Sequence, residues 1–339
     1  MVNELEDRIG SIYAPVKGRL SLVERRIRTL SSSNIPNMDT LLDHVLSSGG
    51  KRVRAALTLL SSEFYTHDED YPIIMAAAVE LLHLATLIHD DTVDNSDMRR
   101  GKATVSNLWG KHIAVLFGDY VFAASATFVC DTYNVRVIRR FSETIMELAS
   151  GEIIEYFNCY DPTQSREAYN DRIYRKTASL FCTAAETGAI LGGAPEDQIQ
   201  ALRSYAHNIG MAFQLVDDLL DIEGDAGELG KPVGNDLLHG VLTLPSIMLL
   251  ERSPWKSPSD NPIEALFKYR GDSLDEVNQR EEKLECVLEM ITRLGIIDEC
   301  SQVIRGYCTR ANECLAVLPQ CPAYDSLSTL ASFMLDRTK

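Results

Sequence analysis

The chain has 339 residues, 45% of them hydrophobic and 24% charged, with a formal net charge of −16. So acidic a balance argues against nucleic-acid binding, which needs a basic face, and the hydrophobic share is that of a globular protein. The eight cysteines are scattered without a Cys-x-x-Cys pair, the start is charged, and no run of eighteen apolar residues occurs. These features predict free thiols in a reducing cytoplasm, no secretory signal and no transmembrane helix.

Apolar residues recur every three to four positions, the helical period, and strand-like alternation is scarce. An amphipathic helix is predicted over 3–30, broken by Ser31-Ser32-Ser33-Asn34-Ile35-Pro36. Helices follow at 38–47, 52–65 and 71–95, and then a basic loop, Arg99-Arg100-Gly101-Lys102. Further helices are predicted over 104–109, 112–131, 134–159, 166–191 and 196–223. Gly224 to Gly240 is a Gly-rich loop, a helix restarts near Leu244-Pro245, and Ser253 to Asn261 is a Ser/Pro-rich surface linker. Helices over 274–293, 296–317 and 323–337 close the chain. No domain boundary is evident, so residues 1–339 are expected to form one all-α domain. Its metal and ligand sites would be built from inward-facing residues of opposed helices.

Two copies of one acidic motif dominate: Asp90-Asp91-Thr92-Val93-Asp94 and Asp217-Asp218-Leu219-Leu220-Asp221. At about 100° per residue, the first and last Asp of each copy lie within about 40° on one helix face. Carboxylates so placed repel one another. A lone acidic triplet is usually a solvated face. Here each copy follows an apolar stretch, Leu81 to Ile88 or Met211 to Val216. Ionised carboxylates at the end of a buried helix need partners. Hard divalent cations would supply them. Magnesium fits best, because it takes one or two carboxylates and binds substrate phosphates with its remaining positions. The pair suggests two helix faces gripping a diphosphate through shared ions.

Cations accompany the motifs. Gly49-Gly50-Lys51-Arg52-Val53-Arg54 puts basic side chains at a helix start, where backbone N–H groups also favour anions. Arg99 and Arg100 follow the first motif, and Arg suits bidentate phosphate contacts. His83 lies two turns before Asp90 on nearly the same face. Lys176-Thr177 sits mid-helix, and Lys231 sits in the Gly-rich loop after the second motif.

These segments resemble, in order, those of the trans-isoprenyl diphosphate synthases, the polyprenyl synthetase family. The resemblance extends through Glu80-Leu81-Leu82-His83, Gly118-Asp119-Tyr120, Gly151-Glu152, Phe213-Gln214, Gly230 to Asp236, Thr243-Leu244-Pro245 and Asp336-Arg337. It implies the isoprenoid synthase helical bundle around a central elongation cavity. It implies three magnesium ions held by Asp90, Asp94 and Asp217, with Asp91, Asp218 and Asp221 beside them. Arg99, Lys176 and Lys231 would pair with an allylic diphosphate, and Thr177 and Gln214 would border it. Lys51, Arg54, His83 and Arg100 would hold isopentenyl diphosphate. The implied reaction is head-to-tail condensation of the two by position and electrostatics. A homodimer is implied as well, and a long apolar product suggests transient contact with a membrane surface. One departure stands out: Glu155 replaces the Gln usual in the family three residues after Gly151-Glu152.

The growing product should run along the helix preceding Asp90. Ala85 and Thr86 are small where an aromatic residue would close the pocket early, so a product of at least twenty carbons is expected, with a preference for thirty or more. Phe122, Phe128 or Phe64 could form a deeper wall. Three rival readings are a twenty-carbon geranylgeranyl diphosphate synthase, a class I terpene cyclase and a subunit of a two-component synthase. The intact second motif with Lys51, Arg54 and Arg100 disfavours the cyclase. The presence of both motifs disfavours a non-catalytic subunit.

Overall fold

The computed structural model describes residues 9–32, 34–47, 49–66, 68–224, 233–252, 261–271 and 273–336. The fold is all-α, as the periodicity predicts, and the β structure among the described residues is two strands of two residues each. The main elements are α1 (Lys17–Arg28), α2 (Met38–Leu46), α3 (Val53–Ser62), α4 (Asp70–Val93), β1 (Met98–Arg99), β2 (Lys102–Ala103), α5 (Val105–Trp109), α6 (Lys111–Cys130), α7 (Val135–Asn158) and α8 (Arg166–Ile173). After a π turn at Tyr174–Ala178 come α9 (Ser179–Leu191), α10 (Glu196–Glu223), α11 (Asn235–Leu238), α12 (Leu244–Glu251), α13 (Pro262–Leu266), α14 (Leu274–Arg293), α15 (Ile296–Cys314) and α16 (Pro322–Asp336).

Three local departures from the sequence expectation have plain causes. The predicted 3–30 helix is interrupted by a 3-10 turn at Ala14–Val16, because Pro15 has no N–H to donate. The basic loop at 99–102 is a hairpin: Arg100 and Gly101 take φ of 50° and 74°, and Met98 pairs with Ala103. Positive φ at both central residues is what a tight two-residue hairpin turn requires. The predicted helix over 166–191 contains the π turn, where the Ser179 N–H bonds to the Tyr174 carbonyl five residues back.

The chain divides into two compact units, each assembled from separated segments. The first comprises 1–145, 180–206 and 312–330. Its central element is α4, which packs against α1, α3 and α6. Every residue from Met75 to Leu82 is buried, as expected for a helix that is apolar all round. Glycines permit the closest approaches. A Cβ on Gly188 of α9 would fall 2.1 Å from the Thr58 carbonyl oxygen of α3, and one on Gly118 of α6 would fall 2.2 Å from Nε2 of His89.

The second unit comprises 146–179, 207–311 and 331–339. Here α14 buries Leu284, Val287 and Ile291, one stripe at helical spacing. It packs against α11, α12 and α13.

Two helices, α4 and α6, are long and apolar enough to cross a membrane by length and composition. The sequence expectation of no such helix holds for uninterrupted apolar runs only. Ile, Leu, Val and Ala residues raise the average hydropathy around the interleaved His and Asp. The apolar stretch of α4 is mostly buried inside its unit, whereas more of α6 is exposed.

Candidate functional site

The first acidic motif ends α4, and its three carboxylates have different surroundings. Asp91 is buried, and Nε of Arg99 lies 2.8 Å from each of its oxygens. The hairpin after α4 delivers that arginine. Asp90 is partly accessible and Asp94 is exposed at the helix C-cap, its N–H bonding the Asp90 carbonyl at 2.8 Å. One face of α4 therefore stays open along Thr86, Asp90 and Asp94, while Ala85 is fully buried. Of the expected wall residues, Thr86, Phe122 and Phe64 present some surface, and Phe128 is buried.

Several of the cations named from the sequence lie in the same unit as this face. Glu80, a buried carboxylate on α4, accepts the Ala55 N–H at 3.0 Å and pairs with Arg52 at 3.3 Å. It caps the start of α3 from outside, where an anion is favoured. Arg54 follows on α3, stacking over the Phe181 ring at 4.5 Å with Nη1 3.3 Å from Nε2 of His83. Arg100, held at positive φ, donates to the Gly49 carbonyl, and Lys51 is exposed two residues on. Burial and then the surrounding Arg54, Arg100, Arg99 and Arg52 push the His83 pKa well below its ordinary value. Its ring is therefore neutral at physiological pH, a hydrogen-bonding group rather than a cation.

The second motif lies on α10. Asp217 and Asp221 are partly accessible and Asp218 is buried. The Tyr169 hydroxyl donates to Asp218 at 2.5 Å, and Nε2 of Gln214 donates at 2.7 Å. Oε1 of the same Gln214 accepts from the Thr177 hydroxyl at 2.6 Å. A continuous chain thus joins α8, the second motif and the π turn. Burial, with Asp236 adding to it, raises the Asp218 pKa to about 7, and the bonds from Tyr169 and Gln214 oppose the rise. Asp221 is held from the other side, where one of its carboxylate oxygens accepts the Asp236 N–H at 3.2 Å.

Lys176 stands on the π turn, a distortion common at functional positions. A Cβ on Gly151 would fall 2.8 Å from the Lys176 backbone nitrogen, so only glycine lets α7 come this close. The approach brings Glu152 within 3.2 Å and Glu155 within 2.6 Å of the ammonium. Glu155 also lies 3.7 Å from Nε of the buried Arg172.

Among the described residues, no three His, Cys, Asp or Glu side chains converge closely enough to hold a metal by themselves. The accessible Asp90, Asp94, Asp217 and Asp221 are hard oxygen donors. They suit magnesium, which needs only one or two carboxylates and completes its shell from water and phosphate. Lys231, in the Gly-rich loop, and Arg337, at the chain end, lie outside the described residues. The sequence did not single out Tyr169, Arg172, the contact of Glu152 with Lys176 or the capping role of Glu80. Their partners come from distant segments, and a Tyr or Glu on a helix carries no spacing signal.

Comparison with known proteins gives the class. The polyprenyl synthetase family model matches residues 35–283. A prenyl transferase of Synechocystis is 33% identical over 96% of this chain and 98% of its own length. The heptaprenyl diphosphate synthase component 2 of Bacillus subtilis is 32% identical over 98% of this chain and 91% of its own. The crystal structure of heptaprenyl diphosphate synthase from Staphylococcus aureus superposes with a TM-score of 0.87 at 34% identity, covering 96% of this chain and 99% of that one. The chain belongs to the polyprenyl synthetase family, the trans-isoprenyl diphosphate synthases with the isoprenoid synthase helical fold. It is an enzyme, a trans-prenyltransferase.

Proposed function

We propose that this chain, acting as one domain, condenses isopentenyl diphosphate with an allylic diphosphate to build an all-trans polyprenyl diphosphate of thirty carbons or more. The observation that carries this reading is the division of labour within both acidic motifs. In each, the middle Asp is satisfied internally and the outer pair stays accessible to ions. Asp90, Asp94 and Asp217 would hold three magnesium ions, with Asp221 beside them and Asp91 and Asp218 fixing the geometry from behind. Magnesium, when bound, neutralises charge on the leaving diphosphate.

The chain's own residues orient the reactants. Lys51, Arg54, Arg100 and the neutral His83 grip isopentenyl diphosphate, while Arg99, Lys176 and Lys231 draw on the allylic diphosphate. Thr177 and Gln214 border the allylic carbon. The allylic C–O bond breaks and the diphosphate leaves with its electron pair. The isopentenyl double bond attacks the cation, and the proton then lost goes to the released diphosphate. No protein nucleophile is needed, because position and electrostatics carry the rate.

The length preference rests on Thr86 and on two relatives named as heptaprenyl synthases, seven five-carbon units. Mass spectrometry of products from isopentenyl and farnesyl diphosphates with magnesium tests it. A series reaching thirty carbons or more supports the reading, and termination at twenty makes the chain a geranylgeranyl synthase. A name ending in "component 2" favours one second reading, a two-component synthase, which gains if the chain alone gives no turnover.

The exposed Ile113, Val115 and Leu116 of α6 form an apolar face suited to a second copy of the chain. We take the working form as a homodimer in the cytoplasm that meets the membrane surface only to release product. Sedimentation of the purified chain tests the first point.

A further inference from the structure

We propose that Glu155 is a competing anion for Lys176 that weakens the hold on diphosphate and so eases its release. The inference rests on the diphosphate-binding role given to Lys176 above. Oε1 of Glu155 lies 2.6 Å from the Lys176 ammonium, closer than the 3.2 Å contact of Glu152. The Glu155 side chain is only 20% exposed, so solvent screens the pair less than a surface contact. Any anion that engages Lys176 must therefore compete with a carboxylate already bonded to it and settle beside that negative charge.

Arg172 gives the displaced carboxylate somewhere to go. Its guanidinium is 2% exposed, and Nη2 donates to the Leu242 carbonyl. Its buried Nε–H has no hydrogen-bond partner and lies 3.7 Å from the second oxygen of Glu155. A shift of about one ångström would complete that hydrogen bond at ordinary N–H···O length. Glu155 can thus exchange Lys176 for Arg172 when diphosphate arrives, and return when it leaves. The backbone approach at Gly151 fixes the register that makes both contacts possible. In an enzyme that repeats its condensation many times, each cycle must shed a diphosphate, and product release often limits turnover. A Gln here would keep the shape and lose the competing charge.

The test uses the full chain, inorganic pyrophosphate with magnesium, and the Glu155→Gln and Glu155→Asp variants. Calorimetry reads pyrophosphate affinity without requiring turnover. Glu155→Gln is expected to bind pyrophosphate roughly 3- to 10-fold more tightly, the effect of removing one nearby unit charge in a partly solvated site. In the condensation assay it should lower KM for the allylic diphosphate and the inhibition constant of pyrophosphate together, without raising kcat. Damage to the structure would move affinity the other way. Unchanged or weaker pyrophosphate binding by Glu155→Gln overturns the inference. Glu155→Asp, which keeps the charge but is too short to reach Lys176 and Arg172 alike, should fall between; if Glu155→Gln does not fold, wild-type affinity in Glu155→Asp overturns it. If the wild-type chain binds pyrophosphate and turns over while both variants match it, only this inference fails. A wild-type chain that neither binds pyrophosphate nor turns over sinks the synthase reading and this inference with it.

Discussion

The Tyr169 hydroxyl lies 2.5 Å from a carboxylate oxygen of Asp218, and both side chains are buried. The second acidic motif is thereby anchored to α8, and through Gln214 to Thr177 on the π turn. Replacing Tyr169 with Phe removes the donor and leaves a buried carboxylate one bond short. A loss of about 1–3 kcal/mol in unfolding free energy is expected, measurable by urea denaturation. A midpoint equal to wild type would mean that the bond contributes nothing net.

Asp218 also sets a pH dependence. Its folded pKa is raised to about 7 from 3.8. Between those values the folded chain keeps a proton that the unfolded chain has lost. Stability therefore falls as pH rises across this window, by up to about 1.4 kcal/mol per pH unit from this group. Asp218→Asn should flatten that slope. Urea midpoints taken with EDTA between pH 4.5 and 7.5 decide it, and parallel profiles for the two proteins would refute the assignment.

The motif positions should separate by role. Asp90→Asn and Asp217→Asn are expected to lower kcat by at least about 100-fold, the scale for losing one electrostatic contact to developing charge, with little change in stability. Asp91→Asn, by contrast, weakens the contact that Nε of Arg99 makes with both carboxylate oxygens and should lower stability as well as rate. Stripping divalent ions with EDTA should abolish turnover, and magnesium should restore it. Activity that survives chelation would argue against the ion-holding role.

Product length offers a fourth test. Thr86 presents surface on the open face of α4, whereas Ala85 is fully packed. Thr86→Phe should shorten the product, read by mass spectrometry. Ala85→Phe overpacks the core instead and should cost about 1–3 kcal/mol of stability. If Thr86→Phe leaves the product series unchanged, the wall lies elsewhere, with Phe122 the next candidate.

Most of the helical order is legible in the sequence, because apolar spacing is a property of single segments. The two Asp motifs are legible for the same reason: their chemistry is written within five residues. The inequality inside each motif is not. Asp91 and Asp218 are set apart from their neighbours chiefly by Arg99 and Tyr169, which approach from other elements. The hairpin at 98–103 reads from the sequence as a basic loop, since Arg is not the residue expected at positive φ. Glu155 is visible as an odd residue, but its partners Lys176 and Arg172 depend on how closely Gly151 lets two segments approach. Lys231 falls outside the described residues and remains a sequence-based proposal.

The π turn has an evolutionary consequence. It fits one residue more into Tyr174–Ala178 than an α-helix would need for the same path. Deleting Tyr174 or Arg175 would let the segment rewind as ordinary helix, turning Lys176 and Thr177 by about 100° relative to Tyr169. The Lys176–Glu155 and Thr177–Gln214 contacts could not both survive that rotation. Selection here acts on a count of residues as well as on their identities. A lineage could change most side chains in this stretch and keep the enzyme, yet lose it through one in-frame codon deletion.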